Sequence, residues 1–402
     1  MNILIIGSHY ASSSSANGIC AQNLVLEFKR QGHSVYVIST GWKDNFTPEL
    51  MEGVRVWTVK TEWFNQLLVK LQKGARWYHR LLLKPYWVLR SLYILPRYPI
   101  TQSIRLERSY NLALKIIKEE NIDVVLCTCL PYEPIAVGMK LKKKLGDSIR
   151  VVTYHLDILS FPNNKDGLLK AYKERRIKNA IEKELQVVDK MLVPESGKGL
   201  FSSSKIEYTG FPAYIDQSDT TRAPFEFDRK YINISFIGSL DKSNRSPRFA
   251  LNLLEKLVDN RNLPIRVSIW GNIADADTKI VIDRCRIAKY YGMLENSYVN
   301  DILAKSDILL NISNAVLYNL IPSKIFQLFD SNRPILNIVN HPNDLTIPYF
   351  EQADGVLNVM SYQEQKEDEA FDFISSCKKI AIKRSRIEQY SAAFICKQIL
   401  SK

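Results

Sequence analysis

The chain has 402 residues, of which 46% are hydrophobic and 24% charged, and a formal net charge of +13. That composition excludes a disordered chain, and the length exceeds what one ordinary hydrophobic core occupies, so two domains are expected. The positive excess points to an acidic partner: nucleic acid, an anionic membrane surface or a phosphorylated substrate.

The opening MNILIIGSHY has no basic leader, and its apolar run ends within a few residues, as in a buried strand and unlike a signal peptide. NILIIG is followed by the helical pattern GICAQNLVLEFKRQG, closed by Gly32, and by the strand HSVYVIST, together a right-handed beta-alpha-beta opening. The run between them, GSHYASSSSANG, lacks both the G-x-G-x-x-G spacing and a G-K-[ST] ending, which argues against a nicotinamide enzyme or a P-loop ATPase. It feeds a helix N-terminus near Asn17 and Gly18, where backbone N–H groups can receive an anion. A serine-rich loop that merely caps a helix accounts for it equally.

Residues 60–108 follow, with ten Lys and Arg against two Glu, interleaved with Trp63, Trp77, Tyr86 and Trp87. Basic and aromatic residues at helical spacing suit an anionic membrane surface; a pair of amphipathic helices packed on their own domain is the alternative. Nucleic acid is the poorer reading, because no recognised binding module accompanies the charge. The longest apolar stretch, LLLKPYWVLRSLYILP, is broken by Lys84 and Arg90 and falls short of the roughly 18 uninterrupted residues of a membrane span. A cytoplasmic protein, peripheral on the inner membrane face, is therefore expected.

Further alternating units are IDVVLCTC, PIAVGMKLKKKLG, RVVTYHLD and VDKMLVP. His33, just before a strand, reads as structural. On a strand Cys127 and Cys129 face the same side, which does not suit structural zinc, and the six scattered cysteines are expected to be reduced. No Asp-x-Asp or His cluster marks a metal. The cycle restarts at INISFIGSL, SPRFALNLLEKLVDN, IRVSIWG, DILLNIS and PILNIV. Two successive sets predict an α/β protein of two Rossmann-like doubly wound domains facing a cleft, residues 1–210 and 211–384. The linker lies around residues 210–230, and a helix at about 385–402 is placed to return to the first domain. Ligands of such sheets bind beyond the carboxyl ends of the strands. In IPSKIFQLFDSNRPIL a helix of about three turns is expected to open on Pro-Ser-Lys and to stop at Asn332, since Pro334 cannot continue it.

The opening unit, ISFIGSLDKSNRSPRFALNLLEKL, YYGMLENSYVNDILAKSDILLNIS and IPSKIFQLFDSNRPIL occur in that order. This ordered set resembles the family 4 glycosyltransferases of the GT-B fold across nearly the whole chain. The resemblance implies a metal-independent transferase without a cofactor, acting on a nucleotide diphosphate sugar held mainly by the second domain. It implies that Ser323 and Lys324, at the mouth of the last helix, face the diphosphate. Gln327 stands where the family usually has a ribose-binding glutamate, and Asn319 where its partner glutamate is expected. Gly238 would let backbone approach the phosphates. Ser239 replaces the usual arginine after that glycine, so its role passes to Lys242 or Arg245. In the first domain His155 and Asp157 are two apart on an extended segment and share a side; the family places such residues beside the acceptor hydroxyl, where either can handle a proton. They can equally be a turn-capping Asp beside a packed His. The implied reaction is transfer, with retention, to a hydroxyl of a lipid-linked or cell-surface saccharide in polysaccharide biosynthesis. A GT-B nucleotide-sugar epimerase and a catalytically silent partner subunit remain as alternatives.

Overall fold

Neighbouring residues of a strand point to opposite faces, so a run such as Ile3-Leu4-Ile5-Ile6 needs cover on both. The computed structural model describes residues 1–7, 10, 16–73, 77–129, 131–156, 169–213, 222–318, 320–363, 367–379, 382–385 and 387–401. It divides into one unit of Met1–Ile215 with Gln389–Lys402 and a second of Asp216–Glu388.

The first unit runs β1 (Asn2–Ile6), α1 (Ala16–Arg30), β2 (Ser34–Gly41), β3 (Asn45–Met51), β4 (Val54–Lys60), α2 (Trp63–Lys73), α3 (Trp77–Ile94), α4 (Ser103–Glu120), β5 (Val124–Cys129), α5 (Glu133–Leu145), β6 (Arg150–His155), α6 (Lys170–Val187), β7 (Lys190–Pro194) and β8 (Ile206–Thr209). Its sheet has the order β3-β4-β2-β1-β5-β6-β7-β8, and only the β3–β4 pair is antiparallel. Alternation sorts the strands between two cores. Leu4, Ile6, Val125, Cys127 and Val151 meet α4 and α5 on one face; Ile3, Ile5, Leu126, Val152 and Tyr154 meet α1 on the other.

The second unit runs β9 (Ile232–Ile237), α7 (Arg248–Arg261), β10 (Ile265–Trp270), α8 (Ala276–Arg284), β11 (Ala288–Tyr290), α9 (Asn296–Lys305), β12 (Ile308–Ile312), α10 (Lys324–Asp330), β13 (Ile335–Val339), α11 (Ile347–Glu351), β14 (Val356–Met360) and α12 (Glu367–Ser376). All six strands are parallel, in the order β11-β10-β9-β12-β13-β14. A last helix, α13 (Ala392–Leu400), belongs to the first unit. Its Ile395, Cys396 and Ile399 enter the core beside α1, and Arg150 and Lys190 donate to the carbonyls of Leu400 and Gln398. All six cysteines are free and buried. Among the described residues no helix is long and apolar enough to cross a membrane.

The strand order reverses direction between β1 and β5 in the first unit and between β9 and β12 in the second. Those two reversals are where a doubly wound sheet opens a crevice at its carboxyl edge.

Candidate functional site

At the second reversal, the segment leaving β9 and the segment leaving β12 are tied to each other. Gly238 donates its N–H to the Trp270 carbonyl at 2.9 Å, and a Cβ on Gly271, which has φ +120°, would overlap the Gly238 carbonyl. The two glycines thus let the ends of β9 and β10 pass at backbone contact, next to the reversal. The Asp241 carboxylate then folds the turn, accepting from the N–H groups of Ser243 and Asn244 and from the Ser243 hydroxyl. Burial by itself would raise the Asp241 pKa, but these bonds outweigh it and hold the group below its usual value.

Asn244 fastens this turn to the segment after β12. Its carbonyl accepts from Ala315 N–H at 2.8 Å, its Oδ1 from Val316 and Leu317 N–H at 2.9 and 3.1 Å, and its Nδ2 donates to Asn314 Oδ1 at 2.9 Å. Arg245 donates from Nε to the same Asn314 oxygen at 2.7 Å. Beyond the segment α10 begins with Lys324. This ammonium keeps an exposed surface, yet its pKa is lowered, first by the crowding of protein atoms and then by repulsion from Arg245. Arg245, half-buried, is likewise lowered by burial, against the pull of Asp241 and Asp344. Among the described residues neither cation has a carboxylate within 4.0 Å. Two cations whose charges act on each other, neither with a close carboxylate, have the chemistry to suit a multiply charged anion.

Asp344 lies near it, 4% exposed, with Oδ1 accepting from Thr346 and Oδ2 without a hydrogen-bond partner among the described residues. Tyr318 and His341 stack face to face, with centroids 3.6 Å apart.

Of the other expected residues, Lys242 points elsewhere: it is exposed and pairs with Asp277 at 2.6 Å, which raises its pKa. Arg245, not Lys242, is the cation whose charge acts on Lys324. Ser323 precedes α10 with helical φ and ψ, and its hydroxyl caps no N–H. The helix has seven residues instead of about three turns, because Ile321 to Ser323 form a preceding turn in which Ile325 N–H bonds the Pro322 carbonyl. So short a helix has little dipole to offer, and the positive charge rests on the side chains. Its end is as the sequence implies: Asn332 takes the left-handed conformation at φ 50°. Gln327 is half-buried, one turn from Lys324, and its amide makes no hydrogen bond among the described residues. Asn319 lies outside the described residues.

In the first unit Asn17 is half-buried and Gly18 buried in the first turn of α1. His155 ends β6 on the α5 and α6 side, 4% exposed, with Nε2 2.9 Å from Glu184 Oε1; Tyr132 donates to the other Glu184 oxygen at 3.2 Å. A proton-transfer role for His155 would therefore have to use Nδ1. Asp157 lies outside the described residues. The sequence reading missed a polar cluster at the first reversal. Arg105, 4% exposed, donates to Glu133 Oε2 at 3.0 Å and to Thr40 Oγ1 at 3.1 Å, beside Gly7, Ser39 and Ser109. Burial lowers the Arg105 pKa and raises that of Glu62, which accepts from Ile104 N–H at 2.7 Å. Arg105 was counted within the basic stretch; one residue's place in a charge run gives no sign that it is buried.

No family model matches this chain, and no curated protein matches it by sequence. Solved structures do. A Listeria monocytogenes protein described as a UDP-N-acetylglucosamine 2-epimerase is 12% identical, with TM-score 0.58 over 99% of this chain and 94% of its own. An E. coli trehalose-6-phosphate protein bound with UDP-2-fluoro glucose is 9% identical, with TM-score 0.53 over 99% and 96%. The catalytic domain of starch synthase IV from Arabidopsis thaliana, bound to ADP and acarbose, is 12% identical, with TM-score 0.52 over 100% and 95%. At such identities the likeness is one of fold: two Rossmann-like α/β domains of GT-B type.

Proposed function

We propose that this chain is a glycosyltransferase, of the family 4 kind, that takes a sugar from a nucleotide diphosphate donor. The observation that carries the reading is the pair Arg245 and Lys324 at the β9/β12 reversal, two crowded cations without a close carboxylate. A diphosphate leaving group gains negative charge as the glycosidic bond breaks, and fixed cations aimed at that charge favour the transition state over the bound donor. The proposal gives this work to side chains, without a metal or cofactor. Gln327, one turn into α10, is assigned to the ribose, where a neutral amide binds less strongly than a carboxylate. Gly238 brings backbone to the phosphates, and Asn244 holds Arg245 and the 314–317 segment in one arrangement.

The acceptor is proposed to be a hydroxyl of a lipid-linked or cell-surface saccharide at the cytoplasmic membrane face, within polysaccharide biosynthesis, and transfer to proceed with retention. Asp157, and His155 through Nδ1, are assigned to the acceptor proton or to the positive charge developing at the anomeric carbon. The polar cluster of Arg105, Glu133 and Thr40 supplies the rigid carboxyl edge of that unit.

A panel of nucleotide sugars, read by thermal stabilisation, tests the reading first; a ligand at 100 times its Kd stabilises by about 2.7 kcal/mol. The expected result is a shift with one or a few nucleotide diphosphate sugars and none with sugar monophosphates. No shift with any of them favours the silent subunit. The stabilising donor is then incubated with and without saccharide acceptors: an epimerase converts it alone, a transferase only with an acceptor.

A further inference from the structure

The helix α3 is apolar on two sides. One side packs: Tyr86 and Ile94 form a small core with Phe64 and Leu71 of α2, and the Tyr86 hydroxyl donates to the Phe64 carbonyl at 2.9 Å. The opposite side is bare. Leu82, Val88, Leu89 and Leu92 are exposed along successive turns, Leu89 at 68% and Leu92 at 66%, and α2 also exposes Leu67 and Trp63, the latter at 68%. A helix face of large apolar side chains is normally covered, and apolar surface left exposed in this way marks an interaction site.

The charge of this stretch of chain selects the occupant of the ridge. From Trp63 to Arg97 there are seven Lys and Arg and no Asp or Glu. A second copy docking by the same face would set two such basic segments against each other. Nucleic acid offers phosphates but nothing for four consecutive-turn aliphatic side chains. An anionic lipid surface offers both, with phosphates for the cations and acyl chains for the leucines.

The ridge is also held firmly enough to act as a platform. Arg176 of α6 donates to the carbonyls of Pro96 and Tyr98, and Tyr172 to that of Leu95, just after α3. Before α2, Glu62 is buried, with its N–H bonded to Gln102 Oε1 at 3.0 Å. Arg90, half-buried, lies over the Trp87 and Phe64 rings at 5.2 and 5.9 Å and helps seat α3 on α2. Two residues of the basic stretch do not contribute: Arg105 is buried against Glu133, and Arg108 pairs with Asp44 at 2.8 Å.

We infer that α2 and α3 form a membrane-docking hairpin that lies in the plane of an anionic lipid surface, with Leu82, Val88, Leu89 and Leu92 set into the acyl boundary and Lys70 and Arg97 on the headgroups. This surface stands apart from the transfer reaction, and its test needs neither donor nor acceptor.

The whole chain is floated with vesicles of phosphatidylcholine alone and of phosphatidylcholine with phosphatidylglycerol, at low and high salt. Binding is expected only with phosphatidylglycerol, weakened by salt, with Lys70→Gln and Arg97→Gln each reducing it about fivefold. The double variant Leu89→Glu/Leu92→Glu should lose it by at least about 100-fold while its melting temperature stays at the parent value, since neither side chain is buried. Brominated acyl chains should quench Trp63 fluorescence, measured as the difference from Trp63→Phe. Equal binding to neutral vesicles, or retention by the double variant, overturns the inference. So does concentration-dependent self-association that the double variant abolishes while vesicles go unbound, because the face would then join two protein surfaces.

Discussion

Replacing Lys324 by alanine removes one of the two cations assigned to the donor diphosphate. A hydrogen bond to a charged group contributes about 1.5–3 kcal/mol, and about 1.4 kcal/mol corresponds to tenfold. UDP or ADP binding should therefore weaken by about 10- to 150-fold, while uridine or adenosine binding changes by less than about twofold. The lower end is favoured, because alanine also releases Arg245 from the repulsion that helps lower the Lys324 pKa. A second signature follows from the same shift. In the free protein Lys324 titrates below its ordinary 10.5, and a bound diphosphate raises it again. Binding is then full below the lowered pKa, weakens as pH climbs through it, and takes up protons within that window. Lys324→Arg stays charged, so its affinity should be level over the same range. The sign for stability is the reverse: the charged lysine penalises the free fold below the lowered pKa, and the penalty is relieved as pH rises toward 10.5. Lys324→Ala should accordingly melt no lower than the parent. Isothermal titration across pH, in two buffers of different ionisation heat, measures affinity and proton uptake together. An equal loss for nucleoside and nucleoside diphosphate, or a parent-like pH slope in Lys324→Arg, would refute the assignment.

Two further outcomes are expected. Gln327→Glu should tighten donor binding by up to roughly tenfold, and a 2′-deoxy donor should not share the gain; titration of both variants with both ligands decides it, and the absence of any ribose-dependent difference removes Gln327 from the ribose. His155→Ala removes a buried hydrogen-bond partner of Glu184, and leaving such a group without its partner costs about 1–3 kcal/mol, so the melting temperature should fall by roughly 5 °C. If instead turnover collapses at an unchanged melting temperature, His155 serves the chemistry more than the fold.

The sequence by itself determined the alternation of strand and helix, the two doubly wound sheets and the stop of α10 at Asn332, because these follow from local periodicity and from the φ that a residue tolerates. Asn332 sits at φ 50° for that reason. Much else was decided only in three dimensions. Lys242 and Arg245 are three apart in one polar loop and identical in kind to any local reading. The Asp241 turn and the Asn244 bonds send the first toward Asp277 and the second toward Asn314, after β12. His155 is buried because β6 pairs with β5 and places that ring over Glu184 of α6, a contact 29 residues away in sequence. Arg105, a charged residue, is covered by Glu133 and Thr40, and Leu89, an apolar one, is bare. Local pattern records how often an apolar or charged residue recurs along one face of a helix. Which face meets a neighbour is set by the packing of elements far apart in the chain, and the charge and solvation of each candidate side chain follow from that packing.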